Sequence, residues 1–165
     1  VNIMMQTDKE AAERLLKNVG NDVRRLSHEL IPPRFDNASL SELVCTYCQS
    51  MSAENGTIVK PFVSRSFEKL NLPSRTALEV YRIVQESVSN AIKYGYSKMI
   101  TVTLDASNNQ ASLCIANDIS PEHPITQGKM GIGKDTLKMR TEALKAILTI
   151  SEQDEEYKVE VRFPL

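Results

Sequence analysis

Residues 77–95 read "ALEVYRIVQESVSNAIKYG", and the spacing of two residue classes along them decides the fold. Ala77, Val80, Tyr81, Val84, Val88, Ala91 and Ile92 recur every three or four positions, which predicts one apolar face of a helix running from Ser74 to Tyr94. At roughly 100° per residue, Arg82, Glu86, Asn90 and Lys93 fall on the opposite side. An acid, an amide and a lysine at i, i+4 and i+7 make a plausible metal–phosphate set. Carboxylate and amide oxygens suit a hard cation such as Mg²⁺, and an ammonium meets phosphate oxygens. A polar row is also what the solvated face of any half-buried helix looks like, so this row alone does not choose between the two.

The flanking segments alternate between helix and strand. Ser39-Leu-Ser-Glu42 has the form of a capping box and opens a helix over about 40–53, closed by Asn55-Gly56. Residues 57–63, "TIVKPFV", read as a strand, and Pro61 favours an edge position because proline cannot donate to a ladder. A loop through "NLPS" leads into the long helix. After it, "MITVTLD" and "ASLCIAND" alternate apolar and polar residues about Ser107-Asn-Asn, a hairpin signal. A helix is expected from about Asp135 to Ala146, then two strands, "ILTISEQ" and "YKVEVRFP", around an acidic turn. The fold class is α+β, a two-layer sandwich with a mixed sheet and its helices on one face, preceded by a long helix.

Two further features join the polar row. The second strand of the hairpin ends on Asn117-Asp118, a carboxylate where open α/β architectures place ligands. Then come Gly128, Gly131 and Gly133 ahead of a helix, where bare backbone N–H groups and the helix dipole favour an anion. In this order the set resembles the ATP-binding catalytic domain of sensor histidine kinases, in the wider superfamily that includes gyrase, the Hsp90 chaperones and MutL. "RIVQESVSNAIKYG" is similar to the family's N box, which implies Glu86 and Asn90 at Mg²⁺, as catalytic and metal-binding residues, with Asn90 and Lys93 near the phosphates of ATP. Asp118 matches the aspartate that receives the adenine amino group. "GIGKDTLKMR" resembles the G2 box, which implies Gly131, Gly133 and Lys134 at the nucleotide. The sequence departs from the pattern where Ile119-Ser120-Pro121 follow the aspartate instead of glycines, where Tyr94 stands for a histidine, and where Glu156-Tyr157 replaces a Gly-Thr pair.

Upstream, Thr7-Asp-Lys-Glu10 has the capping-box form, and Pro32-Pro33 ends whatever helix follows it. Between them Ala12, Leu16, Val19, Val23, Leu26 and Leu30 are spaced 4, 3, 4, 3, 4, the narrow seam of a coiled coil. The expected division is a truncated dimerisation region over 1–36 and a catalytic domain over 37–165, with a homodimer formed through the helix of residues 7–31. "DVRRLSHELIPPRF" resembles the second dimerisation helix of the nitrate/nitrite-sensor subgroup. Ser27-His28-Glu29-Leu30 with Pro33 beyond it also matches a phosphoacceptor box. The break at Pro32-Pro33 leaves no room for an answering antiparallel helix, however, and favours an acceptor upstream of residue 1. His123 reads as a solvated loop residue.

A net charge of -1, with 41% apolar and 25% charged residues, gives no sign of a nucleic-acid partner. No apolar run is long enough to span a bilayer, so a cytoplasmic fragment is expected, whose full-length protein is free to be a membrane sensor. Cys45-Thr-Tyr-Cys48 lacks nearby partner ligands for zinc and reads as core packing. The resemblance implies transfer of the γ-phosphoryl of ATP to a histidine and then to the receiver domain of a response regulator. A degenerate nucleotide-binding scaffold and a serine kinase of the anti-sigma type are the alternatives.

Overall fold

The computed structural model describes residues 38–95, 97–119, 131–153 and 155–165, together with Leu16, Val19 and Gly20. The chain divides into two compact units, Val1–Pro33 and Arg34–Leu165. In the first unit Leu16, Val19 and Gly20 are helical, and the two apolar side chains are largely exposed. The rest of the expected seam helix, with His28, lies outside the described residues.

The second unit opens with helix α1, Leu40–Asn55, for reasons local to its ends. The Ser39 hydroxyl accepts from the Glu42 backbone N–H, and the Glu42 carboxylate accepts from the Ser39 N–H at 2.7 Å, so two otherwise orphaned donors are satisfied. At the other end Gly56 adopts φ 69°, the left-handed conformation that glycine reaches without steric cost. Strand β1, Ile58–Val63, follows, and then a one-turn helix α2, Arg65–Glu68, capped by Ser64. That short helix was not foreseen in the sequence. Helix α3, Ser74–Gly95, is the polar-row helix. Strands β2, Met99–Ser107, and β3, Gln110–Asp118, form the expected hairpin, with Asn108 and Asn109 at φ 50° and 62°. Two consecutive positive φ values are what a tight two-residue hairpin requires, and asparagine tolerates them better than most residues.

Helix α4 spans Gly131–Ala143, and strands β4, Ile147–Gln153, and β5, Glu156–Pro164, close the unit. The helix begins four residues earlier than expected. Gly131 and Gly133 therefore lie within its first turn and do not precede it. There, glycine's low helix propensity costs least, because the first backbone N–H groups have no intrahelical acceptor to lose.

The strand order is β1-β2-β3-β5-β4, parallel between β1 and β2 and antiparallel elsewhere. Pro61 is accordingly on an edge strand. One sheet face is apolar at alternate positions: Ile100, Val102 and Leu104 on β2, Leu113 and Ile115 on β3, Val159, Val161 and Phe163 on β5. The core forms where these meet Val44 and Cys48 of α1, Val80, Val84 and Val88 of α3, and Leu137 of α4. Tyr47 and Tyr81 meet edge to face, 6.0 Å between centroids, and join α1 to α3. This is the mixed sheet with helices on one face that the sequence pattern implied. Cys48 is fully buried, and desolvation pushes its thiol up to about 12.

Candidate nucleotide site

The α3 row divides as its periodicity requires. Val80, Val84, Val88 and Ala91 are buried, whereas Arg82, Glu86 and Asn90 are half-buried and Lys93 is exposed. One turn apart, Asn90 Nδ2 donates to Glu86 Oε1 at 3.0 Å. That bond orients the amide and leaves Asn90 Oδ1 and Glu86 Oε2 with no donor among the described residues. A carboxylate oxygen and an amide oxygen presented side by side fit a hard, oxygen-seeking cation. Before this pair, Arg82 Nη1 donates to Gln85 Oε1 at 3.0 Å.

Helix α4 is fastened to α3 by an ion pair, Arg140 Nη1 to Glu79 Oε2, at 2.8 Å. Gly131 and Gly133 thus occupy the N-terminal turn of a helix whose other end is tied to the polar-row helix. This end carries the positive pole of the helix dipole. Lys134 lies in the same turn, and its side chain is outside the described residues, as are Gly128 and His123.

Asp118 is not brought to this face. Side chains alternate along β3, with Ala111, Leu113, Ile115 and Asn117 buried toward the helices, and Asp118 exposed. Its carboxylate accepts the backbone N–H groups of Met99, at 3.0 Å, and Lys98, at 3.3 Å, where β2 begins. The residue that does face the helices is its neighbour Asn117, only 4% exposed, in register between Ile100 and Tyr157. Asn117 Nδ2 donates to Ser97 Oγ at 2.9 Å, and the Ser97 hydroxyl donates to the Asp118 carbonyl at 2.8 Å. The same Ser97 hydroxyl lies 3.5 Å from the carbonyl of Ala91, next to Asn90. Neither Ser97 nor Asn117 stood out as a site residue in the sequence. Counting the period of two onward from Leu113 and Ile115 would have found Asn117.

No protein-family model matches the chain. Among curated proteins it is similar to the sensor histidine kinase MctS of Rhizobium johnstonii, 24% identical over 136 residues, covering 81% of this chain and 29% of that protein. It is also similar to the oxygen sensor histidine kinase NreB of Staphylococcus carnosus, 30% identical over 97 residues, 59% of this chain and 27% of that one. Both of these similar proteins are sensor histidine kinases. This chain spans less than a third of either protein's length. Its fold agrees with the histidine kinase domain of the blue-light activated histidine kinase of Erythrobacter litoralis EL346, TM-score 0.63 and 16% identity, covering 76% of this chain and 61% of that one. A full-length ShkA structure in complex with AMPPNP matches with TM-score 0.56 at 14% identity, covering 90% of this chain and 35% of that one.

Proposed function

We propose that residues 37–165 are the ATP-binding catalytic domain of a two-component sensor histidine kinase. The observation that carries this reading is the Glu86–Asn90 pair, fixed by its own hydrogen bond on the helix that faces outward from a kinase-type sheet. ATP would lie with its phosphates between this pair, Lys93 and the first turn of α4. Glu86 and Asn90 would hold Mg²⁺, whose chemistry there is neutralisation of phosphate charge. The chain's own groups supply positioning: Lys93 offers a mobile cation, and the N–H groups of the Gly131–Gly133 turn offer fixed dipoles. With the γ-phosphoryl held in line, a histidine on a dimerisation helix would take it and pass it to an aspartate of a receiver domain. The partner copy would join through residues 7–31, and the fragment would work in the cytoplasm.

Titration with a ribose-modified fluorescent ATP, with and without Mg²⁺, tests the reading. Saturable binding strengthened by Mg²⁺ is expected, with the Mg²⁺ effect lost in Glu86→Gln and Asn90→Ala. No binding at millimolar nucleotide sinks it. Incubation with γ-labelled ATP then locates the acceptor. An acid-labile label lost in His28→Gln assigns it to His28, whereas binding without label places it outside these 165 residues. The replacement of the expected glycines by Ile119-Ser120-Pro121 favours a second reading, a nucleotide-binding scaffold without transfer. Binding without transfer to any histidine-bearing partner domain would establish that one.

A further inference from the structure

An open sheet has two edges, and this one treats them differently. On β1 the outward-facing backbone is already occupied. The Val59 N–H donates to Ser52 Oγ at 2.8 Å, and the Ser52 hydroxyl donates to the Val59 carbonyl at 3.2 Å. Two residues on, in the same phase, Pro61 has no N–H to offer, and Lys60 between them is exposed. At the opposite edge β4, Ile147–Gln153, carries neither a proline nor a basic residue. Its ladder runs to β5, so every second residue turns its N–H and C=O outward. Ile147 is 65% exposed and Ile150 36%, on opposite faces of the strand, and Thr149 between them is exposed too.

We propose that β4 is an interface for a second copy of this chain. The second copy's β4 joins it antiparallel, about a two-fold axis through Thr149, and the two five-stranded sheets become one. This contact is separate from the coiled-coil seam expected over residues 7–31, and it stands whether or not the chain binds nucleotide.

Charge chooses the direction. Lys145 precedes the strand and Glu152 lies near its end, both exposed. A parallel neighbour would set like beside like, whereas an antiparallel one brings each Lys145 to the end that carries the other copy's Glu152. Packing chooses the register. A two-fold axis normal to the sheet keeps every side chain on its own face, so only residues of one face can meet. With Thr149 opposite Thr149, Leu148 meets Ile150 twice on the face that carries the core, and Ile147 meets Ser151 on the other. Moving the axis on to Ile150 sets Glu152 against Leu148. Moving it back to Leu148 leaves Ile150 facing only Ala146. The strand that suits this edge in charge and in side-chain class is therefore its own.

Two measurements on the full chain test it. In Thr149→Cys, a change at an exposed position, the introduced thiols of two copies face each other across an antiparallel pair, within disulfide reach. In a glutathione redox buffer this symmetric disulfide is expected at least roughly tenfold faster than the one in Asp105→Cys, where only collision joins two copies. Peptide mapping separates it from bonds to Cys45, Cys48 or Cys114. Adding Ile150→Lys to Thr149→Cys sets an ammonium against Leu148 and is expected to remove the excess. Equal rates for the Thr149 and Asp105 variants, or an excess unchanged by Ile150→Lys, overturn the proposal. The second measurement needs no variant. Hydrogen exchange at the β4 amides of the unaltered chain is expected to slow as protein concentration rises, and to slow on addition of a synthetic peptide of residues 147–153. Exchange independent of concentration overturns the proposal. So does equal protection by a strand-forming peptide of unrelated sequence, which would make the edge a general acceptor of extended chains.

Discussion

Replacing Arg140 by methionine cuts the link between α4 and α3, and its cost follows from three local terms. The pair with Glu79 is a charge-assisted contact at 2.8 Å between side chains 29% and 21% exposed, worth about 1.5–3 kcal/mol when one partner is removed. Against that, the buried Arg140 Nε has no hydrogen-bond partner among the described residues, and removing it returns about 1 kcal/mol. Methionine keeps most of the apolar stem in place. The net expectation for Arg140→Met is a loss of about 1–2 kcal/mol, arising mainly from Glu79 left charged and half-buried. Glu79→Gln alone should cost a similar amount, since it strands the guanidinium. The double variant has no stranded charge and should lie within about 1 kcal/mol of the unaltered chain, as ion pairs replaced on both sides often do. Urea denaturation of all four proteins yields the coupling energy, expected at about 2–3 kcal/mol. Costs that simply add would refute the reasoning and reduce the pair to a solvated contact.

Three further outcomes are expected. Ser39→Ala should lower stability by about 1 kcal/mol through loss of the α1 cap, read as a fall in Tm. Hydrogen bonds from Ser39, backbone first and then side chain, hold the Glu42 carboxyl below its ordinary value, so its contribution is present above the unfolded value and lost as pH falls through the folded one. The Tm gap between the unaltered chain and Ser39→Ala should therefore narrow on acidification below about pH 4.5, and a gap constant from pH 7 to pH 3 would contradict the linkage. Burial should make Cys48 inert to maleimide at pH 8, where a thiol at about 12 is ionised in only about one molecule in ten thousand. Half-buried Cys45 should react first, as peptide mapping by mass spectrometry would show, and equal labelling would mean the core opens readily. Gly56→Ala should cost about 1 kcal/mol from φ 69° alone, since nothing lies within 4 Å of the added methyl. A neutral result in thermal melts would show that the helix end relaxes.

Much of the fold was legible because its signals are local. The Ser39–Glu42 box, the Asn55-Gly56 stop, Pro61 at an edge and the Asn108-Asn109 turn are each decided within four residues, and each stands where the sequence put it. The α3 face was legible for a related reason, since a 22-residue helix repeats its period often enough to outweigh any single residue. Besides the one-turn helix α2, two features were not. The start of α4 was hidden because Gly131 and Gly133 count against helix in any propensity argument, whereas the first turn forgives them. The facing of Asn117 and Asp118 was obscured by chemistry: a carboxylate at a strand end looks like a ligand, and only the strand's alternation reveals that it points away.

The sheet order has a consequence for how this architecture accommodates change. β2–β3 and β4–β5 are two hairpins of neighbouring strands, each closed by its own tight turn, and they meet along a single antiparallel seam between β3 and β5. The chain between the two hairpins, from β3 to β4, carries α4 and belongs to neither. For a flexible connection, added length enters folding as loop closure, and each doubling costs only about 0.6 kcal/mol. Insertions between the two hairpins leave every strand register intact, so that connection is the part of the unit most open to revision during divergence.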